Sequence, residues 1–264
     1  MTHHILHISD CHLVGPGDRL IGVDTQETLQ QVLAAALAQR EPAGIIASGD
    51  LAHLAEAAVY ERFVQTVRDY SAAPLMCLPG NHDVLDQMRA AQLPFTPLRI
   101  ADWAIVWLDS HIDDEPEAHV GPADLEHVQV QMRGSDARWL IVATHHPLVG
   151  VGAPWLDKDR IQKPAELIQW LAESSVRDDE PRLQACVFGH AHQEVTARVA
   201  ARDGEMPLWG VPSTCFQFKP RSERFSLDTA GPGFAWLHLH DDGRITRTVE
   251  RIDYTFEFQL ARGG

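Results

Sequence analysis

Positive charge is scarce in this chain. Its 264 residues carry 22 Lys and Arg against 37 Asp and Glu, a formal charge of −15. Long nucleic acids are held largely by neutralising their phosphates, so this balance argues against a nucleic-acid polymer as partner. Any phosphate handled here is small, or is held by something other than a basic face. Cysteine is scarce too. Cys11, Cys77, Cys186 and Cys215 show no C-x-x-C spacing, and three of them lie in or beside apolar runs. That pattern reads as reduced structural thiols in a cytoplasmic protein. No run approaches the ~18 apolar residues of a spanning helix, and residues 1–10 lack the basic-then-apolar order of a secretory leader. A soluble protein with no membrane partner is expected. Internal repeats, low-complexity stretches and separating linkers are also missing. The chain therefore reads as one domain over residues 1–264, with 205–264 as a strand-rich C-terminal extension of it.

What is present is an alternation of strand-like and helical patterns. Residues 4–8 alternate as a first strand, and 24–40 repeat apolar residues at helical spacing through Leu29, Val32, Leu33, Ala36 and Leu37. Asp24 or Thr25 is placed to cap that helix. Residues 44–47 form a short buried strand, 55–70 return to the helical period through Val59, Phe63, Val64 and Val67, and 74–79 are again apolar. Further on, 104–109 and 139–143 read as strands, 122–133 and 163–174 as helices, and 176–182 as a charged loop. Beyond Gly189 the pattern changes to strands at 194–200, 207–211, 234–240 and 245–252, joined by turn residues such as Asp241-Asp242-Gly243. Strand–helix alternation followed by antiparallel strands predicts an α/β fold with two sheets face to face and helices outside.

Five short polar blocks each follow a strand-like run: Asp10-Cys11-His12, Gly49-Asp50, Gly80-Asn81-His82-Asp83, His145-His146-Pro147 and Gly189-His190-Ala191-His192. Ligands of open α/β sheets sit outside the carboxyl ends of strands, so the five blocks are expected to converge. Asp10 and His12 are two apart and can point to the same side, and His190 and His192 repeat that arrangement. Carboxylates, imidazoles and an amide oxygen make a mixed N/O donor set suited to Zn, Fe or Mn rather than to Ca or a thiolate metal. The candidate ligands outnumber what one ion uses, which predicts two ions, with Asp50 able to bridge them ~3.5–4 Å apart. Two divalent ions outweigh the charges of Asp10 and Asp50, so even an acidic protein binds a phosphate anion there. A metal-bound water loses its proton near neutral pH, which makes a metal-bound hydroxide the expected nucleophile. Proximity leaves both His145 and His146 open as the ligand of the fourth block. His3, His4, His7, His238 and His240 alternate along strands and read as packed or surface side chains. Trp155, which follows the fourth block, is a candidate for the mouth of the site, and Lys219 and Arg221 are candidates to face the substrate.

The five blocks together resemble the complete motif series of the calcineurin-like metallophosphoesterases. The resemblance implies a four-layer αββα sandwich, two mixed β-sheets flanked by helices, around a dinuclear centre. It implies that Asp10, His12 and His192 hold one metal, that Asn81, His145 and His190 hold the other, and that Asp50 bridges. Its H-x-P frame selects His145 over His146. His82 matches the family's histidine that contacts the phosphate and protonates the leaving oxygen, which makes Asn81 and His82 the substrate-facing pair and His82 the catalytic residue. The implied cofactors are two divalent or mixed-valence ions of Fe, Mn or Zn. Gly22-Val23-Asp24-Thr25, Trp155-Leu156-Asp157, the segment 212–220 and Leu227-Asp228-Thr229 are similar to bacterial class III 3′,5′-cyclic AMP phosphodiesterases. That likeness implies a small-molecule phosphodiester substrate, 3′,5′-cyclic AMP opened to 5′-AMP. Glycerophosphodiesters, 2′,3′-cyclic nucleotides and phosphomonoesters are the alternative substrates, since the shared motifs bind phosphate and metal and not the base. A non-catalytic scaffold is the alternative from another class, and the complete ligand set speaks against it.

Overall fold

Alternate residues of single strands feed different cores, and this sets the layering. The computed structural model describes residues 1–113, 115–133, 136–174, 181–201 and 204–259. Its elements in chain order are β1 (Thr2–Ile8), α1 (Thr25–Leu37), β2 (Gly44–Ser48), α2 (Ala57–Tyr70), β3 (Leu75–Leu78), α3 (Leu85–Ala90), β4 (Leu98–Ile100), β5 (Trp103–Trp107), α4 (Pro122–Met132), β6 (Trp139–Thr144), α5 (Pro154–Asp157), α6 (Pro164–Ser174), β7 (Arg182–Phe188), β8 (Val195–Ala201), β9 (Gly204–Gly210), β10 (Gly233–His240) and β11 (Ile245–Arg251). On β1, Leu6 and Ile8 join an apolar cluster with Leu29, Leu33 and Phe63 of α1 and α2, whereas Ile5 faces the other way. Ile5 meets Ile105 of β5, Ile141 of β6 and Val187 of β7 in a cluster that lies between the sheets. On β6, Val142 turns outward to a third cluster with Val128 of α4 and Leu167 of α6. The period of two along each strand thus produces the layers helix, sheet, sheet, helix.

One sheet has the order β11-β10-β1-β2-β3, and the other β4-β5-β6-β7-β9-β8. β1, β2 and β3 run parallel, as do β5, β6, β7 and β9, while β10, β11, β4 and β8 pair antiparallel. These are the two mixed sheets of the αββα sandwich. Residues beyond 204 supply strands to both sheets: β9 sits between β7 and β8, and β10 between β11 and β1. Asp24 is the cap of α1, its carboxylate accepting from the Glu27 backbone N–H at 3.0 Å. α3, β4 and α5 depart from the expected elements. At six, three and four residues they are too short for periodicity to reveal. Of the expected charged loop, residues 176–180 lie outside the described residues and Arg182 already opens β7. No helix among the described residues is long and apolar enough to cross a membrane.

Candidate active site

Five parallel strands deliver the five polar blocks to one place. β1, β2 and β3 of the first sheet lead to Asp10 and His12, to Asp50, and to Asn81 and His82, while β6 and β7 of the second lead to His145 and to His190 and His192. The chain turns sharply as it leaves β1, β2 and β7. Asp10, His12, Asp50, His190 and His192 all adopt positive φ, between 44° and 62°. For residues with a Cβ this region costs on the order of 1–3 kcal/mol each, and such strain gathers where geometry is imposed by function. Gly80 is required by close approach, since a Cβ there would collide with the Asp50 carboxylate and backbone nitrogen.

The donor atoms face one another. His192 Nε2 lies 3.3 Å from Asp10 Oδ1 and 3.0 Å from His12 Nε2. Asp50 Oδ2 stands 3.5 Å from His12 Nε2 on one side and 3.4 Å from His145 Nε2 on the other. Asn81 Oδ1 lies 3.1 Å from His145 Nε2 and 2.9 Å from His190 Nδ1. Backbone carbonyls fix two of the rings: Ser48 O accepts from His145 Nδ1 and Phe216 O from His192 Nδ1, each at 2.8 Å. With Nδ1 committed, the Nε2 side of each ring either carries a proton or faces a cation.

The electrostatics lead to the same conclusion. Burial alone would lower His145, yet the Asp50 carboxylate raises it to about 9. Burial would raise Asp50, but His145 and then His82 hold its carboxyl well below the usual range. Burial drives His12 and His190 well below their ordinary value, so they are neutral lone-pair donors. A pocket that draws a proton between acceptors is one where a cation takes the proton's place. The residues present therefore fit metal ions. Asp10, His12 and His192 form one group of mutually close donors, and Asp10, Asp50 and His145 form another.

His146 lies against the rings of both His145 and His190, but its nitrogens are engaged, Nδ1 with Ser110 Oγ at 2.9 Å and Nε2 with Pro116 O at 3.2 Å. His82 is exposed and lines a cavity of about 460 Å³ together with His12, Asp50, Asn81, His190 and His192. Its backbone N–H donates to Asp50 Oδ1 at 2.9 Å. Trp155 lines the same cavity as expected. Lys219 and Arg221 do not; its cations are Lys158 and Arg224, carried there by segments whose approach only the fold reveals.

Two supports went unread in the sequence. Asp83 accepts from the backbone N–H groups of Leu51, Ala52 and Gly80 and from the Tyr60 hydroxyl, tying the loop after β2 to the loop after β3. Burial, then the Asp50 charge, pushes its carboxyl up to about 6. Its place in the Gly-Asn-His-Asp block was the available signal. The segment after β9 is the second support. Ser213 Oγ donates to Asp10 O at 2.8 Å, and Thr214 N donates to Ser9 O at 3.1 Å. Its clue in the sequence was the 212–220 stretch, although the Phe216 carbonyl that orients His192 is a backbone atom with no residue signature.

Comparison with known proteins agrees with this architecture. The family model described as calcineurin-like phosphoesterase matches residues 3–194. The 3′,5′-cyclic adenosine monophosphate phosphodiesterase CpdA of Pseudomonas aeruginosa is 33% identical, over 94% of this chain and 90% of its own. Its counterpart from Escherichia coli K12 is 34% identical, over 98% and 94%. Among solved structures, a dimetal phosphatase from Danio rerio superposes with a TM-score of 0.62 at 11% identity, covering 94% of this chain and 96% of that one.

Proposed function

The chain belongs to the calcineurin-like phosphoesterase family, and from that premise we propose that it is a dinuclear metal-dependent phosphodiesterase that opens 3′,5′-cyclic AMP to 5′-AMP. The observation that carries the reading is Asp50, whose Oδ2 stands 3.5 Å from His12 Nε2 and 3.4 Å from His145 Nε2, between two donor sets at the floor of an open cavity. Relatives named for this activity match nearly the full chain, which supports the choice of substrate. In this reading Asp10, His12 and His192 hold one ion, Asn81, His145 and His190 the other, and Asp50 both. Fe, Mn and Zn match the donor types. When bound, the ions supply Lewis acidity, which generates the nucleophile from water near neutral pH and neutralises charge on the phosphoryl oxygens. Asn81 and His82 face the phosphate. His82, held at its backbone by Asp50, gives the proton that the departing ribose oxygen needs.

A panel of cyclic AMP, cyclic GMP, bis-p-nitrophenyl phosphate and p-nitrophenyl phosphate tests this, run after chelation and again after adding Mn or Fe. Turnover is expected to vanish on chelation, to return with either metal, and to be faster on the diesters than on the monoester. Full turnover after verified metal removal, or preference for the monoester over every diester, overturns the reading.

A further inference from the structure

The cavity wall beyond the metal-binding groups is aromatic. Trp155 of α5 meets Phe218 and Phe225, whose ring centroids lie 5.0 and 5.6 Å from its own, and the two Phe rings are 5.5 Å apart, all three pairs near edge-on. The segment carrying both Phe residues is closed by a bridge pair between Phe218 and Leu227 and by Lys219 N donating to Ser226 O at 2.7 Å. Trp155 Nε1 donates to Ser222 Oγ at 3.2 Å, pinning that segment to α5. Phe218 stacks on His192 at 4.0 Å, so the aromatic cluster is continuous with the donor set. Phe225 lines the cavity and is 53% exposed, although burying such a ring is worth ~1.5–3 kcal/mol. Among the described residues it belongs to none of the apolar clusters.

Resting on the reading of the site as a cyclic-nucleotide hydrolase, we infer that Phe225, supported by Trp155 and Phe218, is the platform on which the nucleotide's base stacks while its cyclic phosphate reaches Asn81 and His82. A cavity of about 460 Å³ has room for a base beyond the phosphate. Aromatic rings meet a flat π-face without regard to its edge, so the platform accepts adenine and guanine alike. The test compares cyclic AMP, cyclic GMP and a ribose 3′,5′-cyclic phosphate lacking the base, on wild type, Phe225→Ala and Phe225→Trp. Loss of base stacking predicts that Phe225→Ala lowers kcat/KM by about 5- to 150-fold on both nucleotides. On the base-less substrate it is expected to change nothing, and Phe225→Trp restores the nucleotides. Equal losses with and without the base, or no loss on cyclic AMP, overturn the platform and leave the hydrolase reading standing. Wild type that is inert on all three cyclic phosphates yet cleaves bis-p-nitrophenyl phosphate overturns the hydrolase reading, and the platform with it.

Discussion

His82 and its neighbour Asn81 are adjacent in sequence and differ in surroundings. The Asn81 amide oxygen lies among imidazole nitrogens, whereas His82 is exposed on the cavity wall. Its ring contacts those of His12 and His53, both at 4.9 Å between centroids. A group so placed can touch the substrate without holding an ion. The ribose oxygen released from cyclic AMP is an alkoxide unless it is protonated, and general-acid help of this kind is worth ~10²–10⁴-fold. A nitrophenolate needs much less. His82→Ala is therefore expected to keep both ions by metal analysis, to lose ~10²–10⁴-fold on cyclic AMP, and to lose distinctly less on bis-p-nitrophenyl phosphate. Equal losses would reduce His82 to positioning the phosphate, and loss of metal would make it a ligand.

The loops after β2 and β3 act as one unit because of Asp83. Four donors, three backbone N–H groups and the Tyr60 hydroxyl, converge on its buried carboxylate. Tyr60 in turn accepts from Val84 N at 3.1 Å, which links α2 to the same joint. Removing the acceptor leaves those donors dry, at ~1–3 kcal/mol for each that finds no water. Asp83→Ala should lower stability in urea unfolding by more than ~3 kcal/mol and weaken metal retention, since Asp50 and Asn81 sit on the two loops it joins. A midpoint unchanged in the variant would mean the loops hold their shape without it. The strand ends were legible in the sequence because an apolar run followed by Gly, Asp or His marks where a buried strand meets a polar site. The joint was not, since two of the partners of Asp83 are backbone groups more than thirty positions away and a third, the Tyr60 hydroxyl, comes from α2. The aromatic wall was half legible. Trp155 follows a recognised block, but Phe225 gains its meaning only when the chain returns to lie beside α5.

Over the full chain, the response to acid depends on groups buried in the neutral state. His7 of β1 is 1% exposed and shares a strand face with Ile5, and its Nε2 lies 2.8 Å from Ser48 Oγ. Burial, and then the charge of Arg247, push its imidazole down to about 3. The ordinary value is ~6.5, so the unfolded chain takes up the proton far more readily than the folded one. The contribution of His7 to stability is complete above pH ~6.5, declines as the pH falls, and levels off near the folded value. The slope in that window is at most about 1.4 kcal/mol per pH unit. His7→Gln keeps a partner for Ser48 Oγ and removes the titration. Urea unfolding of wild type and variant between about pH 7 and about pH 4.5 measures the difference. Both proteins are first stripped of metal, so that protonation of the ligand histidines does not enter through ion loss. The variant should lose stability less steeply than wild type over this range. Parallel profiles would show that the charged imidazole is accommodated between the sheets, and that acid sensitivity arises elsewhere.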